Sequence, residues 1–259
     1  TYTFGNKKYA YRVLMGDPLG SFYGYRYKGV YQNVEETYAV DKTGQQIMDI
    51  NGAPVVVKNG DQKVYPGDAK YEDVNGDGVI DENDIVYLGN SNPTLTGGLN
   101  FTLRYKKLSL VAALHGRAGQ KVINESRINM ENMYGKNNQS VAVLRRWRSE
   151  GDNTDIPRAL YDKGYNYLGS DRFVEDASFL RLKTITLKYQ FPENWMKPLG
   201  INKLEIYATG YDLFVWTKYT GQDPEINLKN PDGSAAQVAI DSNNTPKAMR
   251  FAFGLNLRF

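Results

Sequence analysis

Asp73, Asn75, Asp77, Asp81 and Asp84 stand at the first, third, fifth, ninth and twelfth places of one short stretch. Gly78 holds the sixth place, where a calcium-binding loop makes its sharp turn. Val79, at the seventh, needs only its backbone carbonyl, and Ile80, at the eighth, is free to enter apolar packing. The spacing is that of an EF-hand-type loop, with Asp84 in place of the usual Glu. The shorter Asp84 requires a tighter loop. Many flexible oxygen ligands favour Ca2+ over Mg2+. Read as a plain polar turn, the stretch would leave Asp73, Asp77, Asp81 and Asp84 repelling one another without relief, so metal binding is the preferred reading. Pro66, Gly67 and Asp68 precede the loop where an EF-hand would have a helix. The expected role is a structural clip, not a calcium sensor.

The remaining chemistry-bearing residues are few. His115 is the only histidine, cysteine is absent, and no Ser/His/Asp grouping stands out. No glycine-rich phosphate loop is present. A formal net charge of +3 implies no strongly charged partner, and nothing argues for nucleic acid. An enzyme is not expected. The 20 Tyr supply flat faces suited to sugars or peptides, and equally to the belts of a membrane interface.

The elements that must position these residues alternate between strands and long polar excursions. Residues 1–28 hold extended fragments at 2–4 and 9–13 and an aromatic run at 21–28. Residues 29–95 are a long loop region with small strands of its own, and Asn51-Gly52 and Asn59-Gly60 mark hairpin turns in it. Residues 96–119 read as a strand pair reversing near Lys106. Residues 120–177 are polar, with a short helix expected at 140–148. A strand at 178–191 places Ile185, Leu187, Tyr189 and Phe191 on one face. A linker reaches Asn202. Residues 203–219 form a longer strand whose facing the pattern leaves open, and 220–247 are a third long loop.

The last strand alternates most cleanly. Phe251, Phe253, Leu255, Leu257 and Phe259 interleave with Arg250, Ala252, Gly254, Asn256 and Arg258. One apolar and one polar face at period two is the pattern of a transmembrane strand, and also of a soluble sandwich. The aromatic residue Phe259 at the end of the strand favours an outer-membrane barrel. Short connections near 106 and at 192–202 alternate with long ones, as periplasmic turns alternate with extracellular loops. No apolar run approaches the ~20 residues of a membrane helix. There is no initiator Met at Thr1 and no signal peptide.

Several motifs in order resemble one family. They include residues 18–25, 66–71 leading into 73–84, 89–93 with Thr96, Gly97 and Gly98, then Arg146 with Trp147, 154–158, 174–183, and Leu213 and Phe214 leading to 216–219. Asn is common in the family where Asp212 stands. The chain resembles the carboxy-terminal part of SusC/RagA-type TonB-dependent outer-membrane transporters of Bacteroidetes.

The resemblance implies an all-β fold, an antiparallel transmembrane β-barrel segment of about six strands with long extracellular loops. A barrel of this class has about 22 strands and a plugged lumen. All of 1–259 would then belong to the barrel, with the plug and its TonB contact absent from this sequence. Implied partners are a SusD-like surface lipoprotein, the remaining barrel and plug, TonB, and outer-membrane lipid. The implied cargo is a glycan or oligopeptide. The competing expectation is a surface calcium-binding adhesin or binding protein without transport. It would require the apolar faces of 96–105 and 250–259 to pack against protein.

Overall fold

The computed structural model describes residues 9–11, 14–162, 164–229 and 237–259. The expected fragment at 2–4, and part of that at 9–13, lie outside the described residues. The chain divides into two compact units. One comprises Thr1–Asn92, Lys121–Glu175 and Ile226–Asn243. The other comprises Pro93–Gln120, Asp176–Glu225 and Asn244–Phe259.

The second unit is built on a five-stranded antiparallel sheet. Its long strands are β1 (Leu95–Tyr105), β2 (Leu108–Ala118), β3 (Phe179–Gln190), β4 (Lys203–Thr217) and β5 (Arg250–Arg258). Their order across the sheet is β5-β4-β3-β2-β1. The sheet supplies five of the about six strands expected. The sixth candidate, at 21–28, folds as the short strands Ser21–Gly24 and Tyr27–Val30 of the other unit. The β1–β2 reversal is tight, with Lys106 in the left-handed region at φ 52°. The 192–202 linker carries a helical turn, Glu193–Met196.

Register makes one face of the sheet apolar throughout. Phe101 pairs with Ala112, Leu103 with Leu110 and Leu99 with Leu114. Ala112 continues to Ile185 and Leu110 to Leu187. Leu187 continues to Ala208 and Tyr189 to Ile206, and these two meet Phe253 and Leu255. Most of this face is exposed, Phe253 to 81%. Aromatic rings stand near both ends of the strands. Phe214 and Trp216 stack at 6.2 Å near one end, and Tyr189 meets Phe191 edge-on at the other. The opposite face carries Asn100, Thr102, His115, Arg181, Thr186 and Glu205. Thr186 and Thr209 share a hydrogen bond there at 2.9 Å.

The pairing is interrupted at one level. Between Leu182 and Thr184, β3 holds one residue more than β2, and β4 holds one more than β3. Asp212, in β4, takes φ 51°. Simple alternation would put Asp212 on the apolar face and Leu213 on the polar one. Instead Leu213 covers Gly210, on the apolar face, with Leu213 Cδ1 only 2.7 Å from where a Gly210 Cβ would stand. This β-bulge is why alternation alone leaves the facing of 203–219 open.

Among the described residues the first unit has two apolar clusters. Tyr25, Tyr31, Val57, Tyr71, Ile80 and Leu168 form one, and Phe22, Ile123, Ile128, Tyr167, Phe173 and Val238 the other. Each large side chain buried in this way stabilises the fold by roughly 1.5–3 kcal/mol. A helix at Glu125–Glu131, unexpected from the pattern, is capped by Asn124, whose side chain accepts from Arg127 N at 2.9 Å. Arg127 and Glu131 also pair at i,i+4. The helix expected at 140–148 is a 3-10 turn, Val141–Arg145. Two successive hairpin turns in this unit are built alike. Asp41 Oδ1 accepts from Thr43 N and Gln45 N, and Asp49 Oδ1 from Asn51 N and Ala53 N. Among the described residues no helix is long and apolar enough to cross a membrane, which says nothing of strands.

Candidate functional site

The 73–84 loop folds around its own carboxylates. Asp73 Oδ1 accepts from Gly76 N at 2.6 Å, and its Oδ2 from Gly78 N at 2.7 Å. Asn75 and Asp77 bond to each other, through Asn75 Nδ2 to Asp77 Oδ2 at 2.8 Å. Asp77 Oδ1 accepts from Val79 N at 2.8 Å, and Asp81 Oδ1 from Asn83 N at 2.8 Å. Gly78 has φ 81°, and a Cβ there would lie 2.9 Å from the Ala39 Cβ, so both conformation and space call for glycine.

Ile80 is fully buried in the first cluster, as its place in the motif suggests. Val79–Ile80 pair in parallel with Lys58–Asn59, which in turn pair with Gln62–Lys63 around the Asn59-Gly60 turn. This pairing takes the carbonyls of Gly78 and Ile80, through Lys58 N and Gly60 N at 3.0 Å each. Successive carbonyls of an extended chain point opposite ways, so that of Val79 is directed away from this neighbour.

Asp84 differs from the other loop carboxylates. It is fully buried, and its two oxygens accept from Val74 N at 2.8 Å and from Asp81 N at 2.9 Å. It closes a capping box on the short helix Glu82–Asp84. Burial raises its carboxyl above the usual range, the backbone donors oppose that, and the charge of Asp73 adds to the rise.

The donor types and the turn fit a hard cation. A carboxylate has about four lone-pair sites, so the hydrogen bonds leave capacity on Asp73, Asp77 and Asp81. Among the described residues, however, no three acidic, imidazole or thiol groups converge as in a closed ligand shell. Of the six positions singled out by spacing, Asp73 and Asp84 take backbone donors on both carboxylate oxygens, and of these two only Asp84 is fully buried.

Two further clusters escaped the sequence pattern. In the first unit Asp68 is held by Arg158, Asn166 and the backbone of Tyr65. Arg158 also lies over the Tyr65 ring at 5.6 Å. Gly67 lies against Trp147, where a Cβ would come within 2.3 Å of the indole. The motif residues 66–68, 146–147 and 154–158 thus meet at one place. In the second unit buried Arg181 pairs with Asp223 at 2.5 Å and with Glu225 at 3.4 Å. Lys183 and Lys247 also pair with Glu225. Burial raises the Glu225 carboxyl, but the hydrogen bond from Lys247 and the charges of Lys247 and Lys183 outweigh it and hold the group below the usual range. Nothing local in the sequence links residues so far apart. His115 makes an edge contact with Phe179 at 5.8 Å, in keeping with a structural role.

Strands of 9 to 15 residues, apolar on one whole face and polar on the other, define a segment of a transmembrane β-barrel. The comparisons with known proteins agree. No protein-family model matches the chain. It is 32% identical to TonB-dependent receptor P26 of Formosa agariphila over 253 residues, which cover 96% of the chain and 23% of that receptor. It is 30% identical to TonB-dependent receptor P3 of the same organism, over 94% of the chain and 22% of the receptor. To TonB-dependent receptor SusC of Bacteroides thetaiotaomicron it is 29% identical, over 83% of the chain and 19% of the receptor. A chain of the RagAB peptide importer in its closed-closed state superposes with a TM-score of 0.63 at 22% identity, covering 95% of this chain and 24% of that one. The chain is thus similar, over nearly its whole length, to TonB-dependent receptors of the SusC/RagA kind, and spans less than a quarter of theirs.

Proposed function

We propose that this chain is a wall-and-loop portion of an outer-membrane, TonB-dependent importer of nutrient oligomers. The observation that carries the reading is the five-stranded sheet, whose exposed apolar face runs unbroken from Phe101 to Phe253. Such a face suits lipid, and aromatic rings near both ends suit the two interfaces. Likeness to TonB-dependent receptors supports TonB coupling, and likeness to the RagAB peptide importer supports a peptide cargo, with a glycan as the other class. The receptor would work with a SusD-like surface lipoprotein, and its plug and TonB contact would lie in the part of the receptor outside this chain. Nothing in the reading requires an enzyme.

A Ca2+ ion in the 73–84 loop is part of the proposal. Asp73, Asn75, Asp77, Asp81, Asp84 and the Val79 carbonyl would hold it, and its charge would relieve the repulsion among the carboxylates. Its role would be to stiffen the loop region where the lipoprotein docks.

The test is uptake by cells. Deleting the gene should abolish growth on one class of oligomer, peptide or glycan, and the full receptor should restore it only when TonB is present. A surface lipoprotein should co-purify. Restored uptake without TonB, or a deletion strain that takes up every oligomer normally, would overturn the reading and favour a calcium-binding adhesin.

A further inference from the structure

The bulge in β3 and β4 opens a cavity of 590 Å³ on the polar face of the sheet, lined by Lys183, Thr184, Tyr211, Asp212, Lys247 and Arg250. We propose that this cavity is a subsite for a ligand carrying an acidic group beside a hydrogen-bond donor. Uronic-acid sugars and acidic peptides share that chemistry. The inference rests on the importer reading, which it deepens by naming a cargo class.

Three features converge on it. Asp212 Oδ1 is buried and has no hydrogen-bond partner among the described residues. Leaving such an acceptor unpaired is costly, and a donor on a bound ligand would satisfy it. Asp212 is also held at φ 51°, a conformation sparse for residues other than glycine and concentrated at functional sites.

Arg250 supplies the second feature. Its guanidinium lies over the Tyr211 ring at 5.3 Å and 3.8 Å from Asp212 Oδ2, too far for a hydrogen bond. Its side chain is 69% exposed. The planar fork that best matches a carboxylate is therefore free to receive one.

Charge balance is the third. Lys183, Lys247 and Arg250 face Asp212 and Glu225, while Arg181 and Asp223 offset each other, so one positive charge is left over. Glu225 holds both lysines in place, and each ammonium has three donors to share.

The test is calorimetric titration of the full receptor in detergent with tri-galacturonate and with tri-glutamate. Maltotriose and tri-alanine are the neutral counterparts. One acidic oligomer should bind at least about ten-fold tighter than its neutral counterpart, and its identity tells sugar from peptide. Arg250→Gln, a change at an exposed side chain, should remove most of that preference. Asp212→Asn, which keeps the shape, an acceptor oxygen and a positive φ while removing a negative charge, should preserve or raise the preference for the acidic ligand. Equal binding of neutral and acidic oligomers, no acidic binding at all, or unchanged affinity in Arg250→Gln would overturn the proposal. Binding in detergent needs no TonB, so the two readings fail separately. A receptor that binds the acid but imports nothing keeps the site and loses the importer. One that imports only neutral oligomers does the reverse.

Discussion

Arg158 grips Asp68 across 90 residues of chain, with Nε 2.7 Å from Oδ1 and Nη2 3.2 Å from Oδ2. The fork is bidentate, and the Asp68 carboxylate is nearly buried. It ties the segment before the 73–84 loop to the segment after Trp147, reinforced by Arg158 N to Gly67 O at 2.7 Å.

Breaking that fork should loosen both segments. Arg158→Leu leaves Asp68 charged and without its cation, a change that costs about 3–5 kcal/mol for a fully buried pair. Arg158 is partly exposed, so the lower end is expected. Limited proteolysis within 60–90 and 140–160 should accelerate together. Unchanged cleavage in both would show that Asn166 and the backbone donors suffice.

The two faces of β1 should tolerate charge unequally. Phe101→Arg puts a cation on the apolar face at mid-strand, at an expected cost of about 2–4 kcal/mol against lipid. Thr102→Arg, one residue on, faces the polar side and should cost little. Folded receptor recovered from outer membranes measures both. Equal loss for the two would mean that the apolar face is covered by protein.

With Ca2+ bound as proposed, chelation should expose the 73–84 loop. With EDTA, cleavage between 60 and 90 should speed up and added Ca2+ should reverse it. Asp73→Asn with Asp77→Asn should mimic the chelated state. Identical cleavage with and without EDTA would count against calcium at this loop.

Acid should loosen the Glu225 cluster. A carboxyl held below its unfolded value contributes stability that is fully present above that value, about pH 4.3, and is lost as pH falls through the lower folded value. Hydrogen exchange around 220–226 should therefore rise below about pH 4. Glu225→Gln should exchange faster at neutral pH and lose that acid step. An unchanged acid step in the variant would assign it to another group.

The parts legible in the sequence are those whose signal is local. The 250–258 alternation, the Lys106 reversal and the Asn59-Gly60 turn each depend on neighbours within a few residues, and each is where the pattern put it. The 73–84 turn was legible for the same reason, down to the buried Ile80. The facing of 203–217 was not, because one left-handed residue, Asp212, exchanges the sides of Asp212 and Leu213 without altering composition. Asp68 with Arg158, Gly67 with Trp147 and Arg181 with Asp223 meet only through tertiary folding. The Glu125–Glu131 helix was hidden because its cap, Asn124, resembles any loop asparagine.

The staggered bulge has a consequence for inheritance. At that level β2 advances one residue while β3 advances two and β4 three. Losing Lys183 would bring β3 into step with β2 and at once put it two residues behind β4. A codon deleted in one strand would thus transfer its error to the neighbour, and only a matching loss in β4 would restore the original offset. Length changes here should accumulate in pairs, while the long connections, bound by no ladder, can gain or lose residues singly.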